Sequence, residues 1–269
     1  MIFHHYTGAG NNFLIADARE FDSSMITAGD TISQLCSEHH TDGLMVLQRS
    51  GSTDFRMLFF NPDGSGGMMC GNGGRCIVAF AADLGIIGNS CRFKAPDGVH
   101  EAEIIEDDGQ VKTVRLKMID VREIEKYRDG VFLNTGTRHF VRMVDDINAV
   151  DVEALGQEIR HRPVFAPEGT NVNFVQSRSN RLYVRTYEKG VERETLACGT
   201  GIVASAIAAH DMGVEPSSHD WARLKYEVVA RRGDRLSVDF VPGGATGLRA
   251  YSVYLTGPAE KLEELDISL

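Results

Sequence analysis

Residues 70–85 read CGNGGRCIVAFAADLG and residues 198–213 read CGTGIVASAIAAHDMG, so one motif occurs twice in the chain. Each copy opens with Cys-Gly-x-Gly and closes with glycine, and Cys198 lies 128 positions after Cys70. The same spacing places Thr7-Gly8 on Thr135-Gly136 and residues 42–48 on residues 170–176. Three matches at one spacing, close to half of the chain, indicate a duplicated domain rather than chance similarity between Gly- and Ala-rich stretches.

The residues that follow each Cys-Gly-x-Gly predict a helix that is buried on every side. The segments IVAFAA and IVASAIAA have no polar face, which is typical of a helix inside a core. We expect these helices over residues 75–84 and 201–212. Gly85 and Gly213 then stand where a glycine in the left-handed conformation ends a helix.

Strands dominate the rest of the chain. Apolar or alternating runs predict strands at residues 13–16, 44–47, 55–60, 111–118, 173–176, 182–187, 224–229, 236–241 and 250–255. Further helices are predicted at residues 32–36, 152–159 and 259–265. The pattern indicates an α+β fold with two pseudo-symmetric domains, each a curled, barrel-like, mostly antiparallel sheet around a central helix. We place the N-terminal half, carrying Cys70, at residues 1–115 plus about 257–269, and the C-terminal half, carrying Cys198, at residues 116–256.

Composition excludes several classes of protein. The chain has 269 residues, with 28 Lys and Arg against 38 Asp and Glu, giving a net charge of −10. Such a chain repels phosphate backbones, so no nucleic acid is expected as a partner. No apolar run approaches the ~18 residues of a membrane helix, and the N-terminus does not resemble a secretory signal. Five cysteines without a signal favour a reducing compartment, and we expect the protein in the cytoplasm.

Cysteine at a helix N-terminus has a specific chemistry. The helix dipole and the N–H groups of the first turn favour the thiolate and attract anions such as a carboxylate. If Cys70 and Cys198 face one carbon, one thiolate can remove a proton and the opposite thiol can deliver another, which inverts the stereocentre. The two motifs therefore predict racemisation or epimerisation of a small amino-acid substrate.

The sequence predicts no cofactor and no metal. His4-His5 and His39-His40 are poor joint ligands, because adjacent strand residues point to opposite faces. No HExxH motif or CxxC pair is present. Residues 8–12 (GAGNN) precede a strand instead of opening a helix, and residues 63–67 (DGSGG) lack the Gly-Lys-Ser/Thr of a phosphate loop.

Residues 61–76 (NPDGSGGMMCGNGGRC) and 187–201 (YEKGVERETLACGTG) resemble the two signature segments of the diaminopimelate epimerase family. TGAGNNF at 7–13, TDGLMVL at 41–47 and PEGTNVNF at 167–174 match in the same order. The resemblance implies a cofactor-independent epimerase that interconverts LL- and meso-diaminopimelate for lysine and peptidoglycan synthesis. It also implies a homodimer.

The resemblance assigns roles to individual residues. Cys70 and Cys198 would be the catalytic acid–base pair. Gly71, Asn72, Gly199 and Thr200 would hold the reacting carboxylate. The remaining substrate-binding positions would be Asn11, Asn61, Thr137, His139, Asn171, Glu188 and Lys189.

Some positions depart from the family pattern. Thr137-Arg138 stand where Asn-Pro is usual, Lys189 replaces an arginine, and Asn12 replaces an aspartate. These changes leave open a two-cysteine racemase of another amino acid such as histidine. A binding homologue without catalysis and a thiol redox protein also remain open.

Structural roles are the alternatives at single sites. The asparagines can cap turns. Glu188 can pair with Arg185 or Arg193 on the surface. Cys36, Cys76 and Cys91 lack the repeated motif, so we interpret them as core or surface residues.

Overall fold

The computed structural model describes residues 1–67, 69–243 and 247–268, and strands dominate it. The chain divides into unit 1, Met1–Leu116 with Gly257–Leu269, and unit 2, Lys117–Thr256. The α-helices are α1 (Gly29–Glu38), α2 (Gly71–Asp83), α3 (Val152–Arg160) and α4 (Gly199–Asp211). The strands are β1 (Ile2–Gly8), β2 (Asn11–Asp17), β3 (Leu44–Gln48), β4 (Phe55–Phe60), β5 (Ser90–Ala95), β6 (Gly98–Asp107), β7 (Val111–Lys117), β8 (Ile124–Tyr127), β9 (Gly130–Asn134), β10 (Arg138–Met143), β11 (Asn171–Arg178), β12 (Arg181–Glu188), β13 (Arg193–Thr195), β14 (Ser218–Asp220), β15 (Arg223–Val229), β16 (Arg235–Pro242) and β17 (Ala250–Asp266).

Unit 1 is a barrel. Its described strands pair in chain order from β1 to β7, and the last part of β17 pairs with both β7 and β1, which closes the ring. The β2–β3 and β4–β5 pairs are parallel, and the other pairs are antiparallel. A closed ring leaves no unpaired edge along which another chain could add a strand.

Unit 2 repeats this arrangement. Its strands follow the order β8-β9-β10-β11-β12-β15-β16-β17, with β13 added to β12 and β14 to β15. The parallel pairs are β10–β11 and β12–β15, at the places equivalent to those of unit 1. A bridge between Val121 and Ala250 joins the start of this unit to β17.

Each α-helix lies in the connection between two parallel strands. Parallel neighbours need a crossover connection, and one helix lies in sequence between the two strands of each such pair. α1 and α3 pack on their barrels through apolar faces, α1 with Ile32 and Leu35, α3 with Val152 and Ile159. α2 and α4 are buried along nearly their whole length and contact strands around their own barrel. They are the central helices.

The predicted fold class is confirmed. The two central helices begin and end 128 positions apart, and Gly85 and Gly213 take positive φ angles of 66° and 81°. Both helices begin before the predicted residues 75 and 201, because the glycines of the first turn obscured the start.

The C-terminal helix predicted at residues 259–265 is wrong, because these residues belong to β17. Lys, Glu and Leu at residues 260–265 favour a helix in isolation. Pairing with β1 and β7, which closes the barrel, outweighs that local preference.

Candidate active site

Cys70 and Cys198 are the N-cap residues of the two central helices. Both have extended backbones, with φ of −106° and −114°, and both are half-buried. The Cys70 Sγ accepts a hydrogen bond from the Gly73 N–H at 3.2 Å, in the way that a serine oxygen caps a helix. The Cys198 Sγ lies 3.4 Å from the Thr200 Oγ1. Each sulfur therefore lies at the positive end of a buried helix.

The glycine after each cysteine is the first residue of its helix. Gly71 and Gly199 are both buried. With no side chain at this position, a ligand can approach the N–H groups of the first helical turn closely. The two helix ends thus combine a thiol with a site suited to an anion.

In unit 1, two linked amide side chains lie beside Cys70. Asn72 is buried, and its Nδ2 donates to the Asn11 Oδ1 at 2.6 Å. Asn72 Oδ1 accepts from the Arg75 Nη2 at 2.9 Å. Asn11 begins β2, and its carbonyl accepts from the Thr7 hydroxyl at 3.0 Å. The structure thus brings three sequence-predicted residues, Cys70, Asn72 and Asn11, to one end of the barrel.

Asn61 lies in a turn after β4. Its Nδ2 donates to the Ser65 Oγ at 3.0 Å, and its backbone N–H donates to the Ser65 carbonyl at 2.9 Å. These bonds are the turn-capping role that the sequence left open. A substrate-binding role for Asn61 stays a prediction.

In unit 2, three polar atoms lie within hydrogen-bond distance of one another beside Cys198. The Thr137 Oγ1 is 2.9 Å from the Thr200 Oγ1 and 2.9 Å from the His139 Nε2. His139 Nε2 is also 3.0 Å from the Thr200 Oγ1. This triangle connects two predicted positions, Thr137 and His139, to the first turn of α4.

His139 has hydrogen-bond partners at both of its ring nitrogens. Its Nδ1 is 2.8 Å from the Asn173 Oδ1, and Asn173 Nδ2 in turn donates to the Thr186 Oγ1 at 3.0 Å. Burial lowers the pKa of His139 to about 4. The ring is therefore neutral at pH 7 and carries one proton, so one ring nitrogen donates a hydrogen bond and the other accepts one.

Asn171 supports the segment that follows β12. Its Nδ2 donates to the Arg138 carbonyl at 3.0 Å, and its Oδ1 accepts the Lys189 backbone N–H at 2.8 Å. Glu188 ends β12 and is half-buried, whereas Lys189 is exposed. Arg185, one of the two suggested partners of Glu188, pairs with Glu194 at 2.7 Å and 2.8 Å.

The other three cysteines belong to the core. Cys36, Cys76 and Cys91 are all buried. Burial raises the pKa of both Cys76 and Cys91 to about 12 and also raises that of Cys36. A neutral thiol is a weak nucleophile and a weak base.

Two buried residues near the cysteines were missed by the sequence reasoning, Arg75 and Asn173. Both are fully buried. Arg75 lies within the first copy of the motif, and Asn173 lies two positions after Asn171 on β11, on the same face of the strand. These two positions in the sequence could have indicated that Arg75 and Asn173 lie near the site.

Two kinds of feature are absent from the residues that the structure describes. No group of three or more His, Cys, Asp or Glu side chains there is arranged to hold a metal ion. Among the same residues, no helix is both long enough and apolar enough to span a membrane. Residues 9 and 10 form the turn between β1 and β2, so residues 8–12 lead into a strand, as the sequence predicted, and do not open a helix.

Solved structures share this architecture. A phenazine biosynthesis protein of the PhzF family from Bacillus anthracis superposes with a TM-score of 0.76 at 13% identity, covering 100% of this chain and 99% of that one. A probable proline racemase from Agrobacterium radiobacter K84 gives a TM-score of 0.66 at 16% identity, covering 100% and 93%. At these identities the likeness shows the fold.

Sequence relatives are much more similar. The sequence model of the family described as Diaminopimelate epimerase matches residues 3–119 and 131–261. The diaminopimelate epimerase of Flavobacterium psychrophilum is 39% identical over 272 residues, which cover 99% of this chain and 100% of that protein. That of Aquifex aeolicus is 39% identical over 285 residues, covering 98% and 96%. The chain therefore belongs to the diaminopimelate epimerase family and is an isomerase of the amino-acid epimerase type.

Proposed function

We propose that this isomerase interconverts LL- and meso-diaminopimelate through proton transfer at Cα by two thiols, Cys70 and Cys198, and needs no cofactor. One thiolate removes the Cα proton while the opposite thiol protonates the other face of the carbon. The product would feed lysine and peptidoglycan synthesis. The observation that carries the proposal is that the two cysteines are the N-cap residues of equivalent buried helices, 128 positions apart in the chain.

The helix ends would stabilise the charge that develops during the reaction. Removal of the Cα proton moves negative charge onto the neighbouring carboxylate, and preorganised N–H donors lower the energy of such a state. We assign this role to the first turns of α2 and α4, with Gly71 and Asn72 on one side and Gly199 and Thr200 on the other. Desolvated donors in a buried helix end are worth more than donors in water.

The remaining predicted positions would bind the rest of the substrate. Diaminopimelate carries two ammonium and two carboxylate groups. We assign hydrogen bonding to Asn11, Asn61 and Asn171, with Thr137 and His139 beside the second thiol. The Glu188 carboxylate can pair with an ammonium group, and the Lys189 ammonium with a carboxylate.

Thr137 supports a second candidate, the same two-thiol reaction on another amino acid such as histidine. The family usually has an asparagine at this position, whose amide would donate to a substrate. Here the hydroxyl lies 2.9 Å from both the His139 Nε2 and the Thr200 Oγ1. The Thr137 side chain is thus engaged within the protein, which alters the donors left for substrate.

The decisive experiment follows the Cα hydrogen. LL-diaminopimelate is incubated with the enzyme in D₂O under single-turnover conditions. We expect deuterium in the meso product and none in the remaining LL isomer, because each face of the carbon is served by its own thiol. Deuterium appearing equally in both isomers from the start would contradict the two-thiol mechanism.

Three cysteine variants test the assignment. We expect Cys70→Ser and Cys198→Ser each to lower epimerisation by about 10³-fold, within the range for loss of a general acid or base, without loss of the folded state. Cys91→Ala is the matched control, because this buried thiol lies outside both motifs, and it should keep nearly full turnover. Near-normal turnover in either Ser variant would refute the assignment.

Rates on LL-diaminopimelate, L-histidine and L-proline decide the substrate. Turnover of histidine far above that of diaminopimelate would favour the second candidate. A protein that binds diaminopimelate without exchanging its Cα hydrogen would be a catalytically inactive homologue. Activity with dithiol reductants alone would indicate a redox role. The homodimer and the cytoplasmic location stay predictions, which sedimentation and cell fractionation test.

A further inference from the structure

Arg75 is a buried residue to which the mechanism above gives no role. Its side chain is completely buried on α2. The guanidinium donates to the Gly71 carbonyl at 3.0 Å, to the Asn72 Oδ1 at 2.9 Å and to the Pro258 carbonyl at 3.3 Å. All three of these acceptors are neutral oxygens, two of them in the first turn of α2 and one on β17.

The guanidinium decides which way the Asn72 amide points. Arginine has donors and no acceptor, so the atom of Asn72 that faces it has to be the oxygen. In the opposite orientation, the amide N–H groups of Asn72 would point at the N–H groups of Arg75 in a fully buried place. Leaving buried donors without acceptors in this way is strongly disfavoured.

The orientation of the Asn72 amide in turn determines the orientation of the Asn11 amide. With its oxygen directed at Arg75, Asn72 presents Nδ2 to the next amide, where it donates to Asn11 at 2.6 Å. The atom of Asn11 that receives this bond must again be the oxygen. The Nδ2 of Asn11, which is half-buried at the start of β2, therefore lies on the other side of that amide.

We propose that Arg75 is a positioning residue that fixes the hydrogen-bond polarity of the Asn72–Asn11 pair, so that Asn11 offers a donor, rather than an acceptor, to the substrate. A donor at this place selects a carboxylate over a group that offers N–H. This inference rests on the proposed function, in which Asn11 contacts the substrate. It gives a role to a motif residue that is completely buried beside Cys70.

Arg75→Gln tests the proposal, because glutamine can donate or accept and so enforces no polarity. The probes are diaminopimelate and its two monoamides, in which either carboxylate becomes a carboxamide. We expect the preference for carboxylate over carboxamide to fall by about tenfold at the end of the substrate that Asn11 contacts, the size of one hydrogen bond to a charged group. The preference at the other end, the internal control, should stay unchanged.

Arg75→Lys is the conservative variant. Lysine also donates and never accepts, so the carboxylate preference should remain even if overall affinity falls. An equal loss at both ends of the substrate in Arg75→Gln would indicate a merely structural role and would overturn the proposal. So would an unchanged preference at both ends.

A second measurement needs neither a stable variant nor a substrate. Neutron diffraction from the deuterated wild-type protein shows which atom of each amide carries deuterium. We expect deuterium on the Asn72 atom that faces Asn11, and none on the Asn11 atom that faces Asn72. The reverse pattern would overturn the proposal. Failure of the wild-type enzyme to turn over diaminopimelate would refute the proposed function alone, and the neutron result would still decide the polarity.

Discussion

The second glycine of each Cys-Gly-x-Gly motif gives the sharpest prediction about the two helix ends. Gly73 and Gly201 occupy the same position of the repeat but have different neighbours. A Cβ at Gly201 would lie 2.4 Å from the Asn173 Nδ2 and 3.2 Å from the His139 Cε1. A Cβ at Gly73 would meet nothing nearer than the Cys70 Sγ and the Met45 Sδ, both at 3.3 Å. We predict that Gly201→Ala is destabilising and that Gly73→Ala is nearly neutral.

The size of the destabilisation depends on how far the side chains around the new methyl group can move. Non-bonded heavy atoms prefer about 3.5–4.0 Å, so the methyl of Gly201→Ala intrudes by about 1 Å on Asn173. That side chain is fully buried and bonded to His139 and Thr186. Overpacking costs about 1–3 kcal/mol, and each buried hydrogen bond lost adds about 1–3 kcal/mol. Alanine recovers about 1 kcal/mol over glycine within a helix.

With one such bond lost, the net loss expected for Gly201→Ala is therefore about 1–5 kcal/mol. At Gly73 a sulfur contact has to relax by only a few tenths of an ångström, and the helix preference of alanine offsets that strain. The expected change in the free energy of unfolding is within about 0.5 kcal/mol.

Urea unfolding followed by circular dichroism measures both variants. Gly88→Ala is the control, because a Cβ there meets nothing within 4 Å. If Gly201→Ala unfolds within about 0.5 kcal/mol of Gly73→Ala, the packing argument is refuted, and Asn173 is not fixed by its hydrogen bonds.

Three further predictions concern charge and backbone. The Lys112 side chain is 4% exposed, and its ammonium lies 2.6 Å from the Asp83 carboxylate. Lys112→Met should therefore lower the free energy of unfolding in urea by about 2–3 kcal/mol. The control, Lys225→Met, removes an exposed pair with Glu227 and should lower it by less than about 0.5 kcal/mol. Because burial lowers the pKa of His139 to about 4 from 6.5, only the unfolded chain binds this proton between those values. The free energy of unfolding should therefore fall by about 3 kcal/mol more in the wild type than in His139→Gln as the pH drops from 7 to 4; equal slopes would contradict this. Trp221 is 97% exposed with a φ of 50°, so Trp221→Gly should gain about 0.5–1 kcal/mol in thermal unfolding, and a lower Tm would show that the turn is not strained.

Local sequence predicted the parts of the fold that depend on local patterns. The central helices were predictable because residues 76–82 and 202–209 are apolar on every side and end at glycine. The barrel closure was not, because it joins β1 to β17 from opposite ends of the chain. Nothing within residues 259–265 indicates which strands they will meet.

At the candidate active site, too, local features were predictable and long-range contacts were not. The repeated motif was enough to predict that Cys70 and Cys198 occupy equivalent places just before the two central helices, because both copies open with the same Cys-Gly-x-Gly. The link from His139 to Asn173 and Thr186 was not predictable, because it depends on the register of β10, β11 and β12. That register is set by pairing across the sheet, which no short segment encodes.

The duplication produced two equivalent helix ends but not two equivalent sites. The third residue of the motif is Asn72 in one copy and Thr200 in the other. The two side chains have different hydrogen-bond partners. Asn72 serves a fixed chain of donors that runs from Arg75 to Asn11. Thr200 offers a hydroxyl, which can donate or accept, between the Cys198 sulfur and the neutral His139 ring. Under the proposed function each face of the reacting carbon meets one thiol, so the two helix ends need not carry the same third residue or the same hydrogen-bond partners.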